Sequence, residues 1–306
     1  MQRLQLGPRS LRYAGGPSTR VFVLLGHPVA HSLSPVFQTA ALRALDLDAV
    51  YLAADLEAEH LPQALEALRR AAAAGRVGGA NVTLPHKRAV LSHLQALDET
   101  ARLAGAVNTL VLMPSLGPGG EAGWRGHNTD IPGLRQSLEE AGVSLAGVPV
   151  LVLGAGGMAR AAVVAALGAG AASIRVLARR PERGRELLEA VGAVWPGKLP
   201  PCTHGPLDPA PADVFDAVAV LLQCTSLGLR AADPSPLSLR GAPPELFVFD
   251  AVYAPHPTAL LREAQRTGLR HSDGLGMLLH QGARSLQLWT GLAPPLDVMR
   301  RSLGLS

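Results

Sequence analysis

The run VPVLVLGAGGMAR at residues 148–160 constrains this chain more than any other stretch. An apolar strand leads straight into a glycine-rich turn, an Ala/Val-rich helical segment follows, and the strand ASIRVLA completes a βαβ unit. Such a unit belongs to a layered α/β sheet. Gly154, Gly156 and Ala159 fit G-x-G-x-x-G/A. The first glycine makes the tight turn, the second lets backbone approach a pyrophosphate, and Ala159 allows close helix packing. The whole turn, Gly154, Ala155, Gly156, Gly157, Met158 and Ala159, reads as a phosphate cradle facing the free N–H groups of the following helix. The next strand ends in Ala178-Arg179-Arg180-Pro181-Glu182-Arg183. An NAD enzyme places an acid here for the ribose hydroxyls, whereas a 2′-phosphate needs arginine. Arg179, Arg180 and Arg183 therefore point to NADP, with a solvated basic helix start as the plainer alternative.

Strand and helix alternate in the first half as well. Strands are expected over 21–26, 51–54, 79–84 and 106–113, and helices over 36–45, 61–74 and 89–97. The segment WRGHNTD, beyond the loop PSLGPGGEAG, closes a hairpin with a long connection. A helical pattern restarts from Leu134, short strands follow over 218–223 and 246–249, and a terminal helix over 275–290. Residues 196–213 are proline-rich and poorly periodic, and the first 19 residues read as a loose extension. At 306 residues the chain favours two domains.

Composition narrows the function classes. Hydrophobic content of 48% with 17% charged residues suits a soluble globular enzyme. A formal charge of +4, carried by scattered arginines, suits anionic small molecules, and no nucleic-acid motif accompanies it. Cys202 and Cys224 form neither a disulfide framework nor a zinc spacing, and the ten histidines show no paired ligand spacing, so no metal is expected. The most apolar region, 148–174, is broken by Gly154, Gly156, Gly157 and Arg160, which argues against a membrane span. No secretory signal opens the chain, and a cytoplasmic protein, monomer or homodimer, is expected.

Among 28 Lys plus Arg only Lys87 and Lys198 are lysine. Arginine cannot release a proton at working pH, whereas lysine can, so Lys87 in GGANVTLPHK stands out as a proton donor, with an ordinary surface lysine as the plainer alternative. Asn81 and Thr83 of the same segment are awkward in a purely structural buried strand. Ser32 and Ser34 in HSLSP either cap the following helix, with Ser34 at N-cap and Pro35 at N1, or form a carboxylate site. Asp130 in GHNTD either caps the next helix or pairs with Lys87. Asn108 in AVNTL either satisfies neighbouring backbone or reaches a ligand.

GHPVAHSLSP, GGANVTLPHK, AVNTL, GHNTD, VLGAGGMARA, CTSLG, FDAVY and DGLGMLLHQGA occur in this order over roughly residues 20 to 290. With these motifs the chain resembles the shikimate dehydrogenases. The resemblance implies NADPH-dependent reduction of 3-dehydroshikimate to shikimate, a step toward aromatic amino acids. It implies two domains with a cleft between them: an N-terminal α/β substrate domain, 20–129 plus 274–306, and a Rossmann-type doubly wound NADP domain, 130–273, with 1–19 as an extension. It further implies that Ser32 and Ser34 bind the substrate carboxylate and that Asn81, Thr83, Asn108, Asp130 and Gln281 hold ring hydroxyls and the reacting oxygen. Lys87 would be the catalytic lysine and Asp130 its partner. Arg179 and Arg183 would grip the 2′-phosphate, and Tyr253 and Gly274 would line the cleft near the nicotinamide. Gln223-Cys224-Thr225 replaces the family's usual Asn-Ala-Thr, with Thr225 on the nicotinamide side, and Ala178-Arg179-Arg180 replaces Asn-Arg-Thr. Two rival readings remain: a quinate/shikimate dehydrogenase using NAD, and a non-catalytic ligand-sensing relative.

Overall fold

A computed structural model of the chain describes residues 1–114, 122–253 and 257–305. The chain divides into two compact units, Met1–Thr129 with Gln281 onward, and Asp130–His280. The α/β class expected from the alternation of strands and helices is what both units have.

The first unit opens with strands β1 (Gln2–Leu6) and β2 (Arg9–Tyr13), followed by β3 (Arg20–Gly26), α1 (Ser34–Ala44), β4 (Ala49–Asp55), α2 (Leu61–Ala73) and β5 (Val77–Val82). It continues through α3 (His86–Ala89), β6 (Ala96–Leu97), α4 (Glu99–Ala104), β7 (Thr109–Met113) and β8 (Gly123–His127). Its six-stranded sheet has the order β4-β3-β5-β7-β8-β6. β3 runs parallel to β4 and β5, while β7 is antiparallel to both β5 and β8. All residues of β3 after Arg20 are buried, which is why that strand is a continuous apolar run without alternation. α2 lays Leu61, Ala64, Leu65, Leu68, Ala71 and Ala72 against the sheet, an i, i+3, i+4, i+7 stripe.

Two expectations need correcting in this unit. The first residues are not loose: β1 and β2 pair antiparallel, and Leu4 and Leu6 lie in the core under α2. Gly7, at φ +62°, supplies the positive φ that a two-residue hairpin turn needs at its first position, and Pro8 completes the turn. The segment 89–97 is not a helix. It is the end of α3, a 3₁₀ turn over Val90–His93 and then β6. Its leucines have helical spacing, but the Gln95 N–H donates to Trp124 O at 3.1 Å and the Gln95 side chain takes the Trp124 N–H at 2.6 Å, which ties the backbone to β8 as a strand.

The second unit runs α5 (Asp130–Glu140), β9 (Pro149–Leu153), α6 (Gly157–Gly168), β10 (Ser173–Ala178), α7 (Pro181–Gly192), β11 (Cys202–Pro206), β12 (Val220–Gln223), β13 (Phe247–Asp250), α8 (Ala259–Arg266) and β14 (His271–Ser272). Its strands are all parallel, in the order β11-β10-β9-β12-β13-β14. Counted within the unit this is 3-2-1-4-5-6, the doubly wound dinucleotide-binding order, with its switch point between β9 and β12. α6 is buried from Ala161 to Leu167, and its Ala/Val composition keeps the helix thin enough for that. β11 lies inside the proline-rich stretch and pairs only with β10; as a short polar edge strand, CTHGP carries no hydrophobic signature.

α9 (Leu275–Thr290) follows the expected bounds, and the division between units falls within it, after His280. α10 (Leu296–Ser302) packs on α1. No helix among the described residues is long and apolar enough to cross a membrane.

Candidate functional site

In the first unit most of the expected site residues gather at or beyond the carboxyl ends of β3 and β5 and at the start of β7, with Gln281 on α9. Ser34 is not the N-cap of α1: Leu33 holds that position, Ser34 is the first helical residue, and the Ser32 hydroxyl accepts the Ser34 N–H at 3.2 Å. The bend at Ser32 thus uses the hydroxyl one residue earlier than a standard cap would. Ser34 is buried and Ser32 half-buried.

Lys87 is half-buried in α3, and its backbone is held from two sides. The preceding His86, fully buried, donates Nε2–H to the Leu56 carbonyl at 2.6 Å. The Lys87 carbonyl accepts the Val107 N–H at 2.8 Å, one residue before Asn108. Thr83, half-buried just beyond β5, accepts the His86 N–H through its carbonyl at 2.9 Å.

Asn81 and Asn108 are 6% and 2% exposed, and both sit in a network of polar side chains. Asn81 Nδ2 donates toward Asn108 O at 2.9 Å, Ser285 Oγ at 3.0 Å and Thr109 Oγ1 at 3.1 Å, while its Oδ1 accepts from the Tyr51 hydroxyl at 2.8 Å. Asn108 Oδ1 accepts from Thr129 N at 2.8 Å, Thr109 Oγ1 at 3.0 Å and Thr129 Oγ1 at 3.1 Å. Gln281 Oε1 lies 3.5 Å from Asn108 Nδ2, and its carbonyl accepts from Ser285 at 3.0 Å. Buried polar groups must be paired, and here the chain pairs them among themselves. Tyr51, Thr109, Thr129 and Ser285 are members that sequence reasoning missed. A tyrosine in an apolar strand does announce that its hydroxyl needs a buried partner. Nothing in the sequence says which partner.

The GHNTD segment is anchored residue by residue up to Asp130. His127 Nδ1 meets Asp98 Oδ2 at 3.0 Å, Asn128 Nδ2 donates to Ala106 O at 3.0 Å, and Thr129 is held by Asn108. Asp130 is the buried first residue of α5. Burial pushes the Asp98 carboxyl up, but its bonds to His127, the Ala101 N–H and the Thr100 hydroxyl outweigh this and hold it below its ordinary 3.8.

In the second unit, Gly154 has φ +107°, and a Cβ there would lie 3.1 Å from the Cys224 backbone, across the switch point. That glycine is required by the protein itself. Gly156 and Gly157 are exposed, have ordinary backbone angles and would bring a Cβ within 4 Å of nothing. They face open space beside the N-terminus of α6, whose N–H groups have no side-chain cap. Ala159 is fully buried, while Ala155 and Met158 are half-buried. Arg179 and Arg180 follow β10, the strand beside β9; both are exposed, and neither guanidinium has a partner among the described residues. Arg183 pairs with Glu186 at 2.9 Å on the surface, a contact worth at most about 1 kcal/mol and easily exchanged for a phosphate. The residues present fit a phosphorylated dinucleotide.

Gln223 is fully buried and closes the turn after β12: its Nε2 donates to Leu227 O at 2.9 Å and its Oε1 accepts the Thr225 N–H at 2.6 Å. Thr225 Oγ1 in turn accepts the Leu227 N–H at 3.1 Å. Burial raises the Tyr253 phenol. At Gly274 a Cβ would collide with the Ala251 carbonyl oxygen, a packing reason for glycine that needs no ligand. Among the described residues, Glu57, Glu59 and His60 bring three metal-ligand atoms within 4.8 Å of one another, and none of them is an expected site residue.

Residues 24–110 match the family description "Shikimate dehydrogenase substrate binding domain", and residues 274–303 match "Shikimate 5'-dehydrogenase C-terminal domain". A shikimate dehydrogenase (NADP(+)) of Geobacter metallireducens is 42% identical over 288 residues, covering 92% of this chain and 95% of that protein. A shikimate 5-dehydrogenase of Thermus thermophilus, solved in complex with NADP(H) and shikimate, superposes with a TM-score of 0.78 at 38% identity, covering 93% of this chain and 98% of its own. The ligand-free 5-ketofructose reductase of a Gluconobacter strain superposes equally well, at 0.78 and 30% identity, covering 94% of this chain and 99% of its own. One scaffold therefore carries oxidoreductases named for different substrates, and side chains must decide between them.

Proposed function

The chain belongs to the shikimate dehydrogenase family, and from that membership we propose that it catalyses the reversible NADPH-dependent reduction of 3-dehydroshikimate to shikimate. The observation that carries the reading to this chain's own residues is Lys87. It is a half-buried lysine in an arginine-rich protein, with its backbone locked beside the Asn81–Asn108 network.

NADPH, when bound, supplies the hydride that the ring ketone takes up. Ser32 and Ser34 hold the substrate carboxylate near the N-terminus of α1, and Asn81, Thr83, Asn108, Gln281 and Tyr253 hold the ring and its hydroxyls. The Lys87 ammonium gives its proton to the oxygen as alkoxide charge develops there, and neutral Lys87 then recovers a proton from solvent. In the oxidative direction neutral Lys87 takes the proton of the shikimate hydroxyl. Asp130 is assigned as the second catalytic group, a carboxylate whose chain approach is fixed by the anchored GHNTD segment. Gly154 through Ala159 take the pyrophosphate together with the α6 N-terminus, Arg179, Arg180 and Arg183 take the 2′-phosphate, and Thr225 and Gly274 flank the nicotinamide side. Two unbridged cysteines, Cys202 and Cys224, agree with a reducing cytoplasm as the place of work.

The test is the absorbance of NADPH formed from NADP⁺ with shikimate, and in parallel with quinate and with NAD⁺. Turnover confined to shikimate and NADP⁺ is expected. Comparable rates with quinate and NAD⁺ would make the chain a dual-specificity dehydrogenase, and no turnover with either acid would favour a ligand sensor.

A further inference from the structure

Resting on that reading, we propose that Tyr51 is a positioning residue for the substrate: it fixes the carboxamide of Asn81 so that an acceptor oxygen faces a substrate hydroxyl. Tyr51 lies on β4, is 4% exposed, and has its ring against Trp289 with centroids 6.3 Å apart. Its hydroxyl is 2.8 Å from Asn81 Oδ1 and also meets the side chain of Ser34. It therefore bridges two residues assigned to opposite parts of the substrate, one at the start of α1 and one on β5.

The polarity of this bridge follows from one obligate acceptor. The Asn108 backbone carbonyl, 2.9 Å from the Asn81 carboxamide, can only accept, so the atom of Asn81 that faces it is the nitrogen. The oxygen of Asn81 then faces Tyr51, and the Tyr51 hydroxyl must donate to it. Both N–H bonds of Asn81 are engaged by Asn108 O and the hydroxyls of Thr109 and Ser285. Asn81 is left with one lone pair on Oδ1 and no donor, so it can receive the O–H of a ligand and cannot donate to one. Without the Tyr51 hydroxyl, Oδ1 loses its only donor among the described residues. The Asn108 carbonyl still holds the nitrogen, but the carboxamide is no longer held from its oxygen side and its plane can tilt about that bond. The acceptor offered to the substrate tilts with it.

Tyr51→Phe removes one oxygen and leaves the ring packed on Trp289. Its KM for shikimate is expected to rise on the order of tenfold, the loss that follows when a buried acceptor loses its donor, while kcat and the KM for NADP⁺ stay within about twofold of wild type. If Tyr51 acts through Asn81, adding Tyr51→Phe to Asn81→Ala raises the KM no further, whereas independent roles multiply. An unchanged KM in Tyr51→Phe, or a full additional increase in the Asn81→Ala background, overturns the inference while wild-type turnover leaves the assigned reaction standing. Absence of wild-type turnover with shikimate overturns the reaction and the inference together.

Discussion

At the scale of single residues, the protein satisfies some polar groups by itself and leaves others exposed, where the proposed function gives them a ligand. Arg179 and Arg180 are in the second class, exposed and without partners among the described residues. Replacing both with alanine is expected to raise the KM for NADP⁺ by roughly 10–100-fold, the value of one or two charge-assisted hydrogen bonds. Whatever turnover NAD⁺ supports should not fall, because that nucleotide has no 2′-phosphate; equal losses with both would remove the arginines from the site. Lys87, Asn81 and Asn108 stand out in the sequence as candidates because each is a polar residue, or a rare one, in an apolar or arginine-rich setting. Tyr51, Thr109, Thr129 and Ser285 do not. They are polar side chains whose meaning lies in 2.8–3.4 Å contacts between residues up to 204 positions apart, which periodicity does not record.

At the scale of elements, the two kinds of glycine after β9 make opposite predictions. Gly156→Val puts a side chain into space that no protein atom occupies, so thermal stability should hold while NADP⁺ binding is lost. Gly154→Ala forces a residue with a side chain to φ +107° against the Cys224 backbone and should cost about 1–3 kcal/mol of stability in the absence of any cofactor. Unfolding with and without NADP⁺ separates the two. Asp98, the N-cap of α4, accepts the Ala101 N–H at 2.8 Å, and Asp98→Ala should cost about 1–2 kcal/mol near neutral pH. Because its folded-state pKa is depressed, that contribution is full above the ordinary 3.8 and fades as pH falls through the lower folded value, so wild type and variant should converge in acid. The strands and helices that were legible, such as β3, β9, α2 and α9, are those with long apolar runs or helical stripes. β6 and β11 escaped because two- and five-residue edge strands are specified by their neighbours' backbone and not by their own side chains.

At the scale of the whole molecule, the parallel order of the second unit follows from the βαβ signature, whereas the opening hairpin does not. Its two buried leucines are separated by one exposed residue, too short a pattern to outweigh the arginines around them. Removing residues 2–13 should uncover the core beside α2, costing about 3 kcal/mol or more by the usual value of buried leucine, and lower the Tm by several degrees while residual turnover keeps its KM values. An unchanged Tm would mean that Leu4 and Leu6 contribute nothing to the first unit. The reaction assigned to the molecule stands on a proton that arginine cannot give. The measurement that tests this most directly is turnover of shikimate by Lys87→Arg, beside wild type and Lys87→Ala. Both variants are expected to fall by about 10²–10⁴-fold in kcat, since arginine keeps the charge and withholds the proton. Near-full turnover in Lys87→Arg would contradict the assignment and leave Lys87 a residue that only holds the substrate.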